Sequence, residues 1–581
     1  MAVDIVFENP LIYDGTGRQP YRNDVAVKKD RIHAIGDLSR EKAKKRIKAD
    51  QLCLCPGFID VHSHADMTMH RPDHAGMLEP LVRQGITTFV GGNCGVAMAP
   101  VSRNFPGFQF DFYEIFTGQD QHPHIRWQSM GELFDTMESQ GMLLNAAVLA
   151  PHGLLRLEAM GDAVRTATLA EVGVMEKELE RCLDDGAVGM STGLMYFPGL
   201  MSDTWELKAL AKVLHRYSGV YTSHLRSYNS DTLGLALEEA VEVGLHGEVP
   251  VQVSHLFWIP NFPAPFNHVM KAATKGISWL YNKRPFPLPL ESSTKPQLER
   301  IAALKSQGMP VGVDAMPTSA GFTHLLAFFP PSSLMGGWRD IKPRLTDRST
   351  RREIQRSIEE GQATWPHRDK DTWSMNLFKV MGWDCAFIMS VVSPKNQSMV
   401  GRSLAELARE RSQHPFDFAC DLLLEEDGKV LVFETATFPG DPLVELSLKG
   451  TLLDPNVSIV TDTILQGFGL PSHLFYDCYP KFLGRYSRDE GFLPLSEAIR
   501  KCTSLPASQL QIRDRGVVRE GCYADMVLFD RNTIGSRGTP QDPAHFPAGI
   551  ETVMINGQVV VDGEGFHPDT MAGRLLRRGG R

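Results

Sequence analysis

The chain lacks long apolar runs, and this absence excludes several classes of protein. No uninterrupted hydrophobic stretch in the 581 residues is long enough to span a bilayer, and residues 1–8 carry acidic side chains where a secretion signal would be basic and then apolar. No Lys/Arg-rich block stands outside residues 574–581, and a formal net charge of −9 is mild for this length. We therefore expect a cytoplasmic protein without a membrane or nucleic-acid partner.

Paired cysteines are also missing. The nine cysteines are scattered and odd in number, and no Cys-x-x-Cys motif occurs. This pattern favours reduced thiols, most of them buried, because a free cysteine behaves as a small hydrophobe. Cys94 differs from the others because it stands in Gly91-Gly-Asn-Cys-Gly95, between glycines that let backbone and ligand approach closely.

The two ends of the chain share a β-rich pattern. Short alternating segments over 4–8, 24–28 and 31–36 are matched by 524–530 and 552–561, where Asn556-Gly557 predicts a tight hairpin. This similarity predicts one small β-sandwich domain that is built from both ends, with residues 1–56 as its first part and 515–581 as its second.

The middle of the chain, residues 57–514, alternates eight short apolar segments with helix-like stretches. The early segments recur at about thirty residues, the usual size of a βα unit. We expect an α/β fold, a (β/α)8 TIM-like barrel with its active site at the carboxyl ends of the strands. The interval between Asp314 and Asp462 far exceeds one helix, which predicts an inserted subdomain over about 320–455, between strands seven and eight.

Metal-binding residue types recur at the predicted strand ends. His62 and His64 lie two residues apart after an apolar run, so both imidazoles would point to the same face of a strand. His224 and His255 each end an apolar segment in a Ser-His-Leu context, and Asp462 ends Ser-Ile-Val-Thr-Asp. A single histidine would more often be a core group, and Asp462 alone could cap a helix. Together with Cys94, however, the set suits zinc.

Such a metal site predicts a particular chemistry. Zinc can lower the pKa of bound water to about 7 and polarise a carbonyl group. An adjacent carboxylate can take a proton from the water and return it to a leaving amine. The residue types therefore point to hydrolysis of an amide bond.

Several motifs resemble one known family. Pro56-Gly-Phe-Ile-Asp-Val-His-Ser-His64 is similar to the first-strand signature of the metal-dependent amidohydrolase superfamily. The segments 91–95, 189–196, 223–226 and 254–255 resemble the D-aminoacylase (N-acyl-D-amino-acid deacylase) branch, and the similarity extends over essentially the whole chain.

The resemblance implies roles for the candidate residues. Cys94, His224 and His255 would hold one zinc ion tightly, His62 and His64 would form a weaker second metal position, and Asp462 would be the general acid/base. Most superfamily members bridge two metals with a carboxylated lysine, whereas cysteine replaces it in the branch. The fourth-strand segment 187–193 contains no lysine.

The implied substrate is a small N-acyl-D-amino acid, whose carboxylate needs a cationic or hydrogen-bonding clamp. Arg226 is the first candidate, with Tyr196 behind it; alternatively, Arg226 forms an ion pair that holds a metal-binding carboxylate. A larger amide conjugate, a cyclic amide of the hydantoinase or dihydroorotase kind and a catalytically silent scaffold are the other hypotheses. The absent fourth-strand lysine argues against the cyclic amidase. The chain could also form a homo-oligomer, because exposed β-edges can pair between copies.

Overall fold

The computed structural model describes residues 2–118, 125–261, 266–286, 288, 293–361, 376–464 and 467–578. All nine cysteines lie in these ranges, and all are free and buried, as expected. Within the same ranges, no helix combines the length and the apolarity needed to cross a bilayer.

The two ends of the chain meet in one sheet. Cys53–Pro56 lies between Leu11–Ile12, to which it is parallel, and Met526–Phe529, to which it is antiparallel. The full strand order is Gly565–Phe566, Gln558–Asp562, Ile550–Ile555, Met526–Phe529, Cys53–Pro56, Leu11–Ile12 and Tyr21–Arg22. We call this the composite sheet. Both residues of the Asn556-Gly557 turn have positive φ, 46° and 78°, as the predicted hairpin type requires.

A second terminal sheet packs beside the composite sheet. Its strand order is Arg31–Gly36, Asp24–Lys28, Val3–Glu8 and Ala43–Lys48. Apolar side chains from both sheets, among them Phe7, Leu54 and Met554, form one buried cluster. Burial of these side chains is the main favourable contribution to this part of the fold.

Eight parallel strands form the middle of the protein. In chain order they are Phe58–Asp60, Ile86–Gly91, Asn145–Val148 continued by Ala150–Pro151, Gly189–Gly193, Val220–His224, Val251–Val253, Val311–Ala315 and Val457–Ile459. We refer to them as the first to the eighth parallel strand. Each lies beside its neighbour in chain order. The eighth returns to the first, because the Asp462 N–H donates to the carbonyl of His62 at 2.9 Å and Ser63 forms a parallel bridge with Thr463.

Helices connect the parallel strands. Because both faces of these strands are buried, their sequences are mostly continuous apolar runs. The helix Leu169–Asp185 begins with a capping box of Thr168 and Glu171. The others are Asp66–Met69, His74–Arg83, Pro106–Thr117, Met130–Gln140, His152–Met160, Thr204–Arg216, Leu233–Gly247, Phe266–Lys283, Lys295–Ser306, Leu474–Lys481, Leu495–Cys502 and Ser504–Gln509, with a π-helical segment Phe482–Asp489.

The long interval between the seventh and eighth parallel strands has its own secondary structure. Leu431–Glu434 is the central strand of an antiparallel sheet, between Gly321–His324 and Ala386–Ser390. The helices of this inserted segment are Gly337–Thr346, Arg348–Glu360, Leu377–Met381, Leu404–Glu410, Pro415–Glu425, Pro442–Ser447 and Lys449–Leu453. Residues 362–375 of the predicted insertion lie outside the described ranges.

Candidate metal and active site

The carboxyl ends of the parallel strands bring the candidate metal-binding side chains together. Cys94 follows the second strand, His224 ends the fifth and His255 follows the sixth. The Cys94 Sγ atom lies 3.6 Å from His224 Nδ1 and 3.8 Å from His255 Nε2, and these two nitrogens are 3.0 Å apart. The three residues that the resemblance assigned to one metal therefore face a common point.

His62 belongs to two groups of potential ligands. Its Nε2 atom lies 3.2 Å from Cys94 Sγ and 3.4 Å from Asp462 Oδ1. His64 Nε2 lies 3.3 Å from the same Asp462 oxygen. The first group, His62 with Cys94 and His255, and the second, His62 with His64 and Asp462, each have the donor atoms needed for a metal. His62 thus connects the two positions that sequence reasoning had separated.

Three residues of this site have a strained backbone. The φ angles of Cys94, His255 and Asp462 are 53°, 31° and 54°, in the left-handed region that residues other than glycine seldom adopt. Each costs about 1–3 kcal/mol and persists only where surrounding bonds enforce it. For His255 this bond is a 2.6 Å hydrogen bond from its N–H to Asp314 Oδ1. These backbone conformations direct the side chains of Cys94, His255 and Asp462 toward one point.

Small residues of the fourth strand accommodate the Cys94 loop. A Cβ atom on Gly193 would lie 2.0 Å from the Cys94 carbonyl oxygen, so only glycine fits there. Ser191 accepts a 3.0 Å hydrogen bond from the Gly95 N–H and donates one to the Gly92 carbonyl. The fourth strand, which contains no lysine, therefore positions the loop that carries the cysteine.

Tyr228 positions His255, and sequence reasoning missed it. Its hydroxyl donates to the Ser254 carbonyl at 3.1 Å and accepts from the Leu225 N–H at 3.0 Å. It also lies 3.2 Å from His255 Nδ1, so its remaining lone pair can accept the Nδ1 proton. That tautomer leaves the Nε2 lone pair, which faces Cys94, free to bind a metal. Only the reversal of the chain after the fifth strand brings Tyr228 here.

Burial controls the charges of the site. It lowers the pKa values of His62, His224 and His255, which keeps these imidazoles neutral, and it raises the pKa of the Cys94 thiol. Burial also favours a neutral Asp462, but the neighbouring histidines outweigh it and hold the pKa of that carboxyl well below its usual range. The hydrogen bond with His64 favours the carboxylate form of Asp462, and the same contact raises the pKa of His64.

The donor atoms fit a metal ion. Zinc bonds of about 2.0–2.3 Å in a tetrahedral arrangement place the donors roughly 3.3–3.6 Å apart. The observed separations around Cys94 Sγ and His255 Nε2 span 3.0–3.8 Å. A cation would also reverse the effect of burial on Cys94, because it removes the thiol proton. Neutral imidazoles and a thiolate are ligands that zinc and neighbouring transition metals prefer.

The two predicted substrate residues differ in their surroundings. The Tyr196 ring lies 4.8 Å from the His224 ring, and its hydroxyl hydrogen-bonds with Thr323 of the inserted segment, so Tyr196 is at the site. Arg226 is fully buried and donates to both oxygens of Glu239, at 3.0 and 2.9 Å, and to the Leu200 carbonyl at 2.9 Å. These contacts favour the ion-pair alternative for Arg226, although Glu239 replaces the expected metal-binding carboxylate as its partner.

A cavity of about 120 Å³ opens beside His255. One wall is the loop 256–260 that follows the sixth strand. Other lining residues belong to the inserted segment and include Met381, Glu434 and Leu448. The inserted segment therefore forms part of the space next to the metal ligands.

The contacts of Tyr228 lead to a prediction. Tyr228→Phe should lower metal affinity about 10–100-fold, because loss of such a supporting hydrogen bond frees the ligand imidazole to turn. Metal affinity measured by competition with a chelating dye checks this expectation. Tyr221→Phe is the matched control, since that buried tyrosine bonds only to Thr192 and Ser223 among the hydrogen bonds of the described residues. Equal affinity in both variants and the wild type would contradict the assignment.

Comparisons with known proteins agree with this geometry. An amidohydrolase family model matches residues 457–561. A D-aminoacylase of Alcaligenes xylosoxydans xylosoxydans is 28% identical, covering 99% of this chain and 98% of its own. A crystal structure of D-aminoacylase has a TM-score of 0.74 at 27% identity, covering 99% of this chain and all of that one. The N-acyl-D-glutamate deacylase of Bordetella bronchiseptica, solved with zinc and a phosphonate inhibitor, has a TM-score of 0.74 at 26% identity, with 99% and 100% coverage.

These similarities support a hydrolase that acts on amide bonds. They support the amidohydrolase superfamily and, within it, the D-aminoacylase branch. The donor set and these relatives together support a divalent metal in the site and a small-molecule amide as substrate.

Proposed function

We propose that the protein hydrolyses the amide bond of N-acyl-D-amino acids. The observation that carries this proposal is the convergence of Cys94, His224 and His255 beside the ionised Asp462, in a chain that aligns with D-aminoacylase from end to end. The architecture that we propose is a closed (β/α)8 barrel over 57–514 with an insertion over about 320–455. A β-domain of 1–56 and 515–581 completes it.

The metal in this proposal is zinc. Cys94, His224 and His255 would hold one ion tightly, and His62 and His64 would contribute a weaker second position. When bound, zinc supplies a Lewis acid that polarises the acyl carbonyl and stabilises the negative charge that develops on its oxygen. His62 could contribute to either position, because it lies within reach of both Cys94 and Asp462.

Asp462 moves the proton in the proposed reaction. Its Oδ1 atom takes a proton from the attacking water and delivers it to the amide nitrogen as the carbon–nitrogen bond breaks. His64, 3.3 Å from that oxygen, orients the carboxylate. Tyr196 is suited to contact the substrate, because its ring lies 4.8 Å from the His224 ring and lines a cavity together with Cys94. Burial of these groups excludes water and strengthens each interaction.

A kinetic panel tests the proposed function. We expect N-acetyl-D-leucine and N-acetyl-D-methionine to be hydrolysed at least about tenfold faster, in kcat/KM, than their L-enantiomers, because a fixed site discriminates by transition-state fit. Chelation should remove the activity and added zinc should restore it, with metal content measured in parallel. Turnover of hydantoins without turnover of linear amides would favour the cyclic amidase instead. No turnover of linear or cyclic amides would contradict the proposal.

A further inference from the structure

Glu434 places a carboxyl group in the wall of the cavity beside His255. It is the last residue of the central strand of the inserted sheet, directly opposite Gly321 on one side and Ala386 on the other. Directly opposite residues in a sheet project their side chains from the same face. The glutamate is therefore flanked by the two smallest side-chain types.

These small neighbours make room for the carboxyl group. A Cβ atom on Gly321 would lie 2.8 Å from Glu434 Oε1, closer than a real contact allows. The carboxyl thus lies across Gly321, at the cavity. A larger residue at 321 would displace it, so the local sequence maintains an acidic group at this point of the wall.

No positive group of the protein neutralises this carboxyl in the part of the chain that the structure describes. Its ionised neighbour is Asp462, which is also negative. Burial, aided by Asp462, raises the pKa of Glu434 to about 7. The cavity lining within the described ranges contains neither lysine nor arginine. An acidic group without a cationic partner in a largely apolar cavity is costly, and a bound cation would offset that cost.

We propose that Glu434 selects substrates by charge, favouring N-acyl-D-amino acids with a cationic side chain and rejecting those with an acidic one. This inference rests on the proposed function. Every substrate of the series has the same α-carboxylate, so the side-chain charge is the property that Glu434 can distinguish. An acidic side chain would face the carboxyl group of Glu434, whereas an ammonium group would be attracted to it. The selectivity is opposite to that implied by the name of the Bordetella N-acyl-D-glutamate deacylase.

Two pairs of substrates of similar shape isolate the effect of charge. Nα-acetyl-D-lysine is compared with N-acetyl-D-norleucine, and N-acetyl-D-glutamine with N-acetyl-D-glutamate, by kcat/KM of the wild-type protein. We expect kcat/KM to be at least about tenfold higher for the lysine substrate than for the norleucine substrate. We expect the same margin for the glutamine substrate over the glutamate substrate. In Glu434→Gln both ratios should fall to within about threefold of one. The matched control is Glu410→Gln, which removes a charge from an exposed surface pair with Arg402 on the same inserted segment and should keep both ratios.

The outcomes separate the inference from the function on which it rests. Wild-type turnover with both ratios near one would overturn the selection by Glu434 and leave the proposed function standing. Wild-type ratios that persist in Glu434→Gln would overturn the selection in the same way. No turnover of any of the four substrates, or of the neutral D-amino acids in the panel above, would overturn both. Wild-type ratios near one overturn the selection by themselves, so that outcome does not depend on the folding of the variant.

Discussion

Asp462→Asn should reduce kcat/KM for a neutral N-acetyl-D-amino acid by about 10²–10⁴-fold while the protein keeps its metal. Asparagine cannot accept the proton that the carboxylate takes, so the transfer to the leaving nitrogen is lost. The side chains of Cys94, His224 and His255, which would hold the tight metal, are unchanged. Steady-state kinetics and metal analysis of the same preparation measure both quantities.

The fold should tolerate this substitution. Asp462 has a φ of 54°, and asparagine adopts that left-handed conformation more readily than most residues. Asp542→Asn is the matched control, since Asp542 is an exposed carboxylate that pairs with His545 at the surface. We expect the control to have wild-type kinetics. Near-normal turnover in Asp462→Asn would show that another group moves the proton.

Cys94→Ala should lose the tightly bound metal and, with it, activity by more than about 100-fold. The thiol sulfur is the one soft ligand in the metal-binding groups of the described residues, within 3.2–3.8 Å of imidazole nitrogens from three strand ends. Alanine leaves two or three imidazoles without a thiolate, and it leaves the cation's charge less compensated. Metal per protein chain after extensive dialysis is the measurement, with about one equivalent expected for the wild type.

The control for Cys94→Ala is another buried cysteine. Cys182 lies inside the helix Leu169–Asp185 and takes no part in the metal-binding groups of the described residues. Cys182→Ala should therefore change stability through the lost packing but leave metal content as in the wild type. Equal metal in the two variants would remove Cys94 from the ligand set. Loss of metal in both would indicate a general failure of folding, which a thermal melt of each variant detects.

Much of the candidate site could be predicted because the rule that assembles it is simple. Cys94, His224 and His255 follow different strands by position in the chain, and parallel strands in an α/β fold direct their carboxyl ends to one side. Because metal-binding residue types are rare at strand ends, the site could be predicted without knowing the distances between the side chains. The composite sheet was predictable for a similar reason, since strand-like segments at both ends of the chain leave edges that must be paired.

Other features depended on contacts that no local pattern encodes. Arg226 is a reasonable carboxylate clamp by residue type, yet its partner Glu239 comes from the helix that follows, and the sequence offers many acidic residues. Glu434 reaches the cavity through the pairing of its strand with Gly321–His324, which follows the seventh parallel strand. Tyr228 supports His255 through a reversal of the loop after His224. In each case, tertiary packing selects one partner from several of equal chemical merit.

The composite sheet also sets the order in which the protein can be completed during its synthesis. Cys53–Pro56 directly precedes the strand that leads to His62, yet its neighbour Met526–Phe529 is made about 470 residues later. At about 5–20 residues per second, that delay is roughly 25–95 seconds on the ribosome. Throughout this interval, the edge of Cys53–Pro56 remains without that strand, and the first metal ligands stand on an unfinished support. The composite sheet is therefore completed only after every residue of the candidate site, from His62 to Asp462, has been synthesised.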